Sequence, residues 1–179
     1  MKINKKFLTF IALFFCLAFS TVLTNAQRRR NTTRRATRPA TTQSTITASS
    51  EIKAGAGKVS TQIKNVTKFI YGLGGVARVI EDLDRDIAAG KASRNAGELN
   101  TKNKQAVINT IRNLRAGLAA LEVEFRTKPA LRNYLFQIQG ITDISGNAED
   151  QATNGRFVES GRTLLLVVEK LSDTLAALP

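Results

Sequence analysis

The sequence contains no histidine and no tryptophan, and its single cysteine, Cys16, lies inside an apolar leader. Without histidine, neither a His/Cys zinc site nor a His-based catalytic triad can be assembled. A chain that loses its leader also loses Cys16, which excludes disulfides and thiolate chemistry from the mature protein. An all-carboxylate metal site is the one metal chemistry left open. Strand signals are absent throughout. Acid is absent too from the first 50 residues: all 14 Asp and Glu fall in residues 51–179.

That last absence shapes the charge. The net value is +13, but residues 51–179 carry 18 Lys and Arg against their 14 acids, close to an ordinary mixed surface. The excess sits at the N-terminus. Lys2, Lys5 and Lys6 open the chain, and Arg28, Arg29, Arg30, Arg34, Arg35 and Arg38 follow in a stretch without any acid.

Residues 1–26 read as a secretory signal peptide: a basic start, an apolar run from Phe7 to Leu23, then the small–any–small triplet Thr24-Asn25-Ala26 before Gln27. The apolar run falls short of the roughly 20 residues of a spanning helix. The arginine triplet just beyond it resists translocation, so the alternative is an uncleaved N-terminal anchor. The paired arginines follow the apolar run, which rules out a twin-arginine signal, and Phe14-Phe15-Cys16 lacks the small residues of a lipoprotein cleavage site. The expected address is secreted or periplasmic.

Residues 27–50 are rich in Thr, Ser, Asn and Gln, with Ile46 the only bulky apolar side chain. Such a stretch buries too little apolar surface to offset the entropy of ordering it, so a disordered arm is expected. Its six arginines, Arg28 to Arg38, are the candidate contact with an anionic surface, an envelope polymer or an acidic lipid. The other reading is a solvated spacer. The arm interleaves no aromatic side chains for base stacking, which argues against nucleic acid. Asn31-Thr32-Thr33 matches a glycosylation triplet, which matters only in a eukaryotic secretory route.

From residue 51 onward the dominant signal is helical periodicity. Val107, Ile111, Leu114, Leu118, Leu121 and Phe125 are spaced 4, 3, 4, 3, 4, which places them on one face of one helix. Val59, Ile63, Val66, Ile70, Leu73, Ala77, Ile80 and Ile87 keep the same rhythm. Phe157, Gly161, Leu164, Val168, Leu171 and Leu175 repeat it at the end of the chain. None of these seams is stable alone in water. The expected fold is all-α: an up-down antiparallel bundle of about four helices, preceded by the signal peptide and the arm. A coiled-coil oligomer is the alternative, though short connections favour closure within one chain.

Boundaries follow from caps and breakers. Gly90 is expected to stop the first helix, Asn95 with Glu98 to cap the second, and Lys128-Pro129 to end it. Leu131, Leu135, Ile138 and Ile141 begin a third helix, with a further start expected at Gly146-Asn147 and a turn at Asn154-Gly155. Gly155-Arg156-Phe157, with small Ser160 beyond, resembles the inter-helix turn of a tetratricopeptide hairpin. No second copy occurs at the spacing of such repeats. Gly72, Gly74 and Gly75 interrupt the first helix at about 1 kcal/mol each relative to alanine. They suggest either close approach of another backbone or a kink, and mark where an apolar-ligand pocket could lie.

Two patterns imitate sites. Asp82, Asp84 and Asp86 match the first ligands of a calcium loop, but Ile87 stands where glycine must turn the chain and Ser93 where the bidentate Glu belongs. Ser50-Glu51-Ile52-Lys53 fits the S-x-x-K pattern without its companion elements. Tyr71 and Tyr134 are expected at the edge of the core. No catalytic residues, no cofactor and no metal ligands are expected. The chain reads as a non-enzymatic, exported interaction or structural protein, with an unknown protein or an anionic envelope component as partner and a homo-oligomer possible. The alternative is a carrier of small apolar ligands.

Overall fold

The computed structural model describes residues 40–179, with side chains from residue 46 onward. The leader, the six arginines and residues 27–39 of the expected arm lie outside the described residues. Among the described residues every regular element is helical: α1 (Ala40–Ala88), α2 (Arg94–Thr127), a 3₁₀ turn (Arg132–Tyr134), the single-turn α3 (Leu135–Ile138), α4 (Ile141–Thr153) and α5 (Phe157–Ala177).

The four long helices form a closed ring in which α1 packs on α2 and α5, and α4 packs on α2 and α5. Each neighbouring pair is antiparallel. Along α1 and α2, Lys58 meets Glu124 while Asp84 meets Lys104. Along α2 and α4, Arg112 reaches Glu149 while Glu122 reaches Thr142. The apolar seams meet in the centre. Val59, Val66, Leu73, Ile111, Leu118, Phe125, Phe157, Leu164 and Leu171 are fully or almost fully buried. Of the central stripe on α2, Leu114 alone is only half-buried, and it still packs against the core.

On α5 the expected face is turned slightly. Its buried positions are Phe157, Ser160, Leu164, Val167, Leu171 and Thr174, spaced 3, 4, 3, 4, 3, while Val168 and Leu175 sit at the edge. Small Ser160 lets α4 approach, and its hydroxyl donates to the Ala148 carbonyl at 2.7 Å. Ile87 is a correction. It is 39 % exposed and lies beyond Ile80 and Asn100, the last buried positions of α1 and α2 at that end.

The turns obey local chemistry. Gly90 and Gly155 both adopt positive φ, 68° and 78°, and each closes its helix with the same pair of bonds. Lys91 N–H donates to Asp86 and Gly90 N–H to Ile87. Arg156 N–H donates to Gln151 and Gly155 N–H to Ala152. This is the Schellman ending that glycine favours. The start of α2 corrects the expected cap. Ser93, not Asn95, accepts from Ala96 N–H, and Glu98 pairs instead with Arg94.

The third helix is also corrected. It is interrupted at Gln139-Gly140, where Gly140 takes φ 90°, so α3 is one turn long and α4 starts afresh. Gly146 lies inside α4 rather than at its start. A methyl group there would sit 3.3 Å from the Arg115 guanidinium, so the glycine makes room for Arg115 to cross. The expected arm is shortened as well: the helical frame begins at Ala40. Adding residues to an existing helix needs no new nucleus, so a weak sequence can extend it.

Gly74 and Gly75 neither interrupt α1 nor admit a neighbour. The helix is continuous, and a methyl at Gly74 or Gly75 would meet nothing within 4 Å. Leu73 and Ala77, buried beside these glycines, hold the helix where propensity alone would not.

Candidate functional site

The chain's ionisable groups divide into those that hold the bundle together and those that face outward. The first set is carboxylates on α1, α2 and α4 that cap or clamp a neighbouring helix. Neither α4 nor α5 is capped by its own preceding side chain. Glu122 of α2 supplies the cap for α4. It accepts from Gly140 N–H at 3.2 Å, Thr142 N–H at 3.3 Å and the Thr142 hydroxyl at 2.8 Å. Burial pushes its carboxyl up, but the Thr142 hydroxyl, the two amides and the Arg126 charge outweigh it and leave the pKa lowered. Glu81 of α1 does the same for α5, accepting from Val158 N–H at 2.9 Å. A carboxylate at a helix N-terminus satisfies orphan donors and complements the dipole.

Glu149 of α4 works in the other direction. It accepts from Arg112 Nε at 2.8 Å and Arg115 at 3.2 Å, both on α2. Burial pushes its carboxyl up, and bonds from the two arginines more than reverse this. At the far end of the ring, buried Asn100 donates to the Ile80 carbonyl at 3.2 Å and to Asp84 at 2.8 Å. Lys104 completes that node at 2.8 Å from Asp84. Glu124 is held by Lys128 and Lys58. Burial again opposes, and those hydrogen bonds again outweigh it to lower the carboxyl's pKa.

The acidic cluster is therefore dispersed. Asp82 pairs with Arg85, Asp84 faces α2, and the segment is helical, so no calcium loop is formed. Among the described residues no group of three or more acidic side chains could hold a metal. Ser50 to Lys53, the S-x-x-K imitation, runs within α1.

Open grooves indent the surface of the described residues. One, of about 570 Å³, lies where α5 begins, between Arg78, Arg85, Arg156 and Arg162 on one hand and Glu81, Asp82, Asp84 and Glu159 on the other. All four of these acids are engaged within the fold. The second, of about 390 Å³, runs between α4 and α5 beside Ile144, Gln151 and Leu166. Neither lies at Gly74 and Gly75.

Part of the outward set lies on α1. Between Glu51 and Glu81 the helix carries five cations and no acid. Lys58 pairs with Glu124, and among the described residues no ion pair forms at Lys53, Lys64, Lys68 or Arg78. Tyr71, expected at the core edge, stands among them 84 % exposed, which is a correction: it occupies the position opposite the buried seam. Tyr134, by contrast, is half-buried against the core. The six arginines expected to form the contact site, Arg28 to Arg38, lie outside the described residues. No helix among the described residues is long and apolar enough to cross a membrane.

A match with another protein would place this bundle in a class. No family model, no curated protein and no solved structure matches the chain.

Proposed function

We propose that this is an exported, non-enzymatic interaction protein of the cell envelope, in which a helical bundle carries an N-terminal cationic segment that contacts an anionic surface. The observation that supports this most is the separation of charge. Six arginines stand in residues 27–39 with no acid beside them, while the bundle's best-buried carboxylates are consumed by caps and clamps. A positive segment tethered to a near-neutral body makes a local field that only anionic partners satisfy. Export rests on the leader's three-part pattern, with a mature N-terminus at Gln27. The mass of the exported protein, measured by mass spectrometry, tests that end. An intact leader would replace export with anchoring.

The carrier reading drew on an apolar space behind the α1 glycines. Gly74 and Gly75 face outward, and no observation favours that reading over binding through charge. Deleting residues 27–39 spares α1 and tests the proposal. Affinity for anionic vesicles at low salt should fall at least about tenfold, because each cation near such a surface contributes about 1 kcal/mol. Helix content and Tm should stay unchanged. Unaltered affinity would overturn it.

A further inference from the structure

The outward face of α1 carries cations without acids over a long stretch. Helical residues three and four apart share a face, and Lys53, Lys64, Lys68, Tyr71 and Arg78 fall on one stripe directly opposite the buried line of Val59, Val66, Leu73 and Ile80. All five are exposed. None of the four cations has an acidic partner among the described residues, and no acid occurs on α1 from residue 52 to residue 80. From Lys53 to Arg78 the stripe is about 38 Å long at 1.5 Å per residue. Gly57 and Gly75 keep it low, with nothing within 4 Å of either.

The apolar members of this face identify the partner. Tyr71 is 84 % exposed, Ile46 56 % and Val79 55 %, and Ile46 lies on the same stripe where α1 runs past the end of α2. A hydrophilic polyanion would neutralise the cations but leave these side chains in water. The interfacial layer of a bilayer accepts both: tyrosine rings and aliphatic side chains settle at headgroup depth while lysine and arginine reach the phosphates. A stripe on one continuous helix also lets all four cations meet one surface together. One aromatic residue in 38 Å is no stacking platform for nucleic acid.

We propose that the outward stripe of α1 docks flat on a bilayer containing anionic lipid, with Lys53, Lys64, Lys68 and Arg78 on the headgroups and Tyr71 inserted at their level. The inference rests on the reading of the protein as a binder of anionic surfaces, but on different residues from the N-terminal arginines. It makes the bundle an active part of the contact rather than cargo on a tether.

The test uses the full-length mature chain and phosphatidylcholine vesicles with and without phosphatidylglycerol. Each cation at such a surface is worth about a fivefold change in affinity, so Lys64→Gln with Lys68→Gln should weaken binding about thirtyfold. The same charge change at Lys91 and Lys102, off the stripe, should weaken it several times less. Equal losses from the two pairs would mean that only net charge matters and would overturn the proposal. Neutralising the six N-terminal arginines in a separate chain distinguishes the two contacts. Binding lost there and unchanged in the Lys64/Lys68 variant would sink the α1 face and leave the arm reading standing. The reverse would sink the arm reading and leave the face.

Because the chain has no tryptophan, Tyr71→Trp places a single reporter on the stripe. Its emission should shift to the blue on anionic vesicles and not with soluble polyphosphate. Equal affinity for polyphosphate or RNA, with no shift on vesicles, would assign the face to a soluble polyanion and overturn the lipid assignment.

Discussion

Replacing Glu122 with alanine removes a cap that α4 cannot supply for itself. Three bonds to the first turn of α4 disappear, at 3.2, 3.3 and 2.8 Å, together with the pairing to Arg126. Losing a good N-cap costs about 1 kcal/mol. Leaving the Gly140 and Thr142 amides without an acceptor in a partly buried site adds about 1–2 kcal/mol. The expected loss is therefore about 2–3 kcal/mol, which in a domain of this size lowers Tm by roughly 6–12 °C. Urea denaturation with a fixed slope measures it, since the unfolded surface should not change. The loss should also be local. Amide exchange should accelerate first in the opening turns of α4, while α1 and the middle of α2 keep their protection. The double mutant with Thr142→Ala should show a coupling of at least about 0.5 kcal/mol. A Glu122→Ala protein within about 0.5 kcal/mol of the parent, with α4 exchange unchanged, would refute the cap in trans.

Leu118→Ala, at a fully buried position of the α2 seam, should cost about 2–5 kcal/mol by denaturant melt; a neutral result would turn the stripe into an exposed partner surface. Gly75→Ala should stabilise by up to about 1 kcal/mol, because the site is open helix and alanine loses less entropy there; destabilisation would show that the glycine has a neighbour. Acid should unfold the bundle through Glu122, Glu124 and Glu149, whose folded pKa values are lowered. The unfolded chain then binds the protons first, so this stability is full above the ordinary value of 4.5 and is lost as pH falls through the folded values. Glu122→Gln should flatten that acid limb in a pH series of melts, and an unchanged limb would count against the assignment.

The helical seams were legible because each repeats one local rule: an apolar residue every three or four positions, as in Val107 to Phe125. The Gly90 and Gly155 stops were legible for the same reason. What was not legible depends on residues far apart in sequence. Glu122 reads as one more exposed acid until Gly140 and Thr142, 18 and 20 residues on, arrive beside it. Arg115 and Gly146 look unrelated until α2 and α4 pack, and Asp84 looks like a calcium-loop ligand until Asn100 and Lys104 meet it. Ser93 and Asn95 are rival caps two residues apart, and sequence chemistry does not rank them. Tyr71 was misread because aromatic residues near a seam usually belong to it; its angular position, opposite Val66 and Leu73, was available by counting. The N-terminal arginines were legible as charge alone.

The most direct test of contact through the cationic N-terminus is the salt dependence of vesicle binding by the full-length mature chain. Exposed charges are screened beyond about 10 Å at 0.1 M salt and beyond only a few ångströms near 1 M. Affinity for anionic vesicles should therefore fall at least tenfold between about 0.05 and 0.5 M salt, over which the Debye length shrinks roughly threefold. Vesicles without anionic lipid should show little binding at either concentration. Affinity that is constant across the series, or equal on neutral vesicles, would mean that the contact is not made through charge and would contradict the assignment.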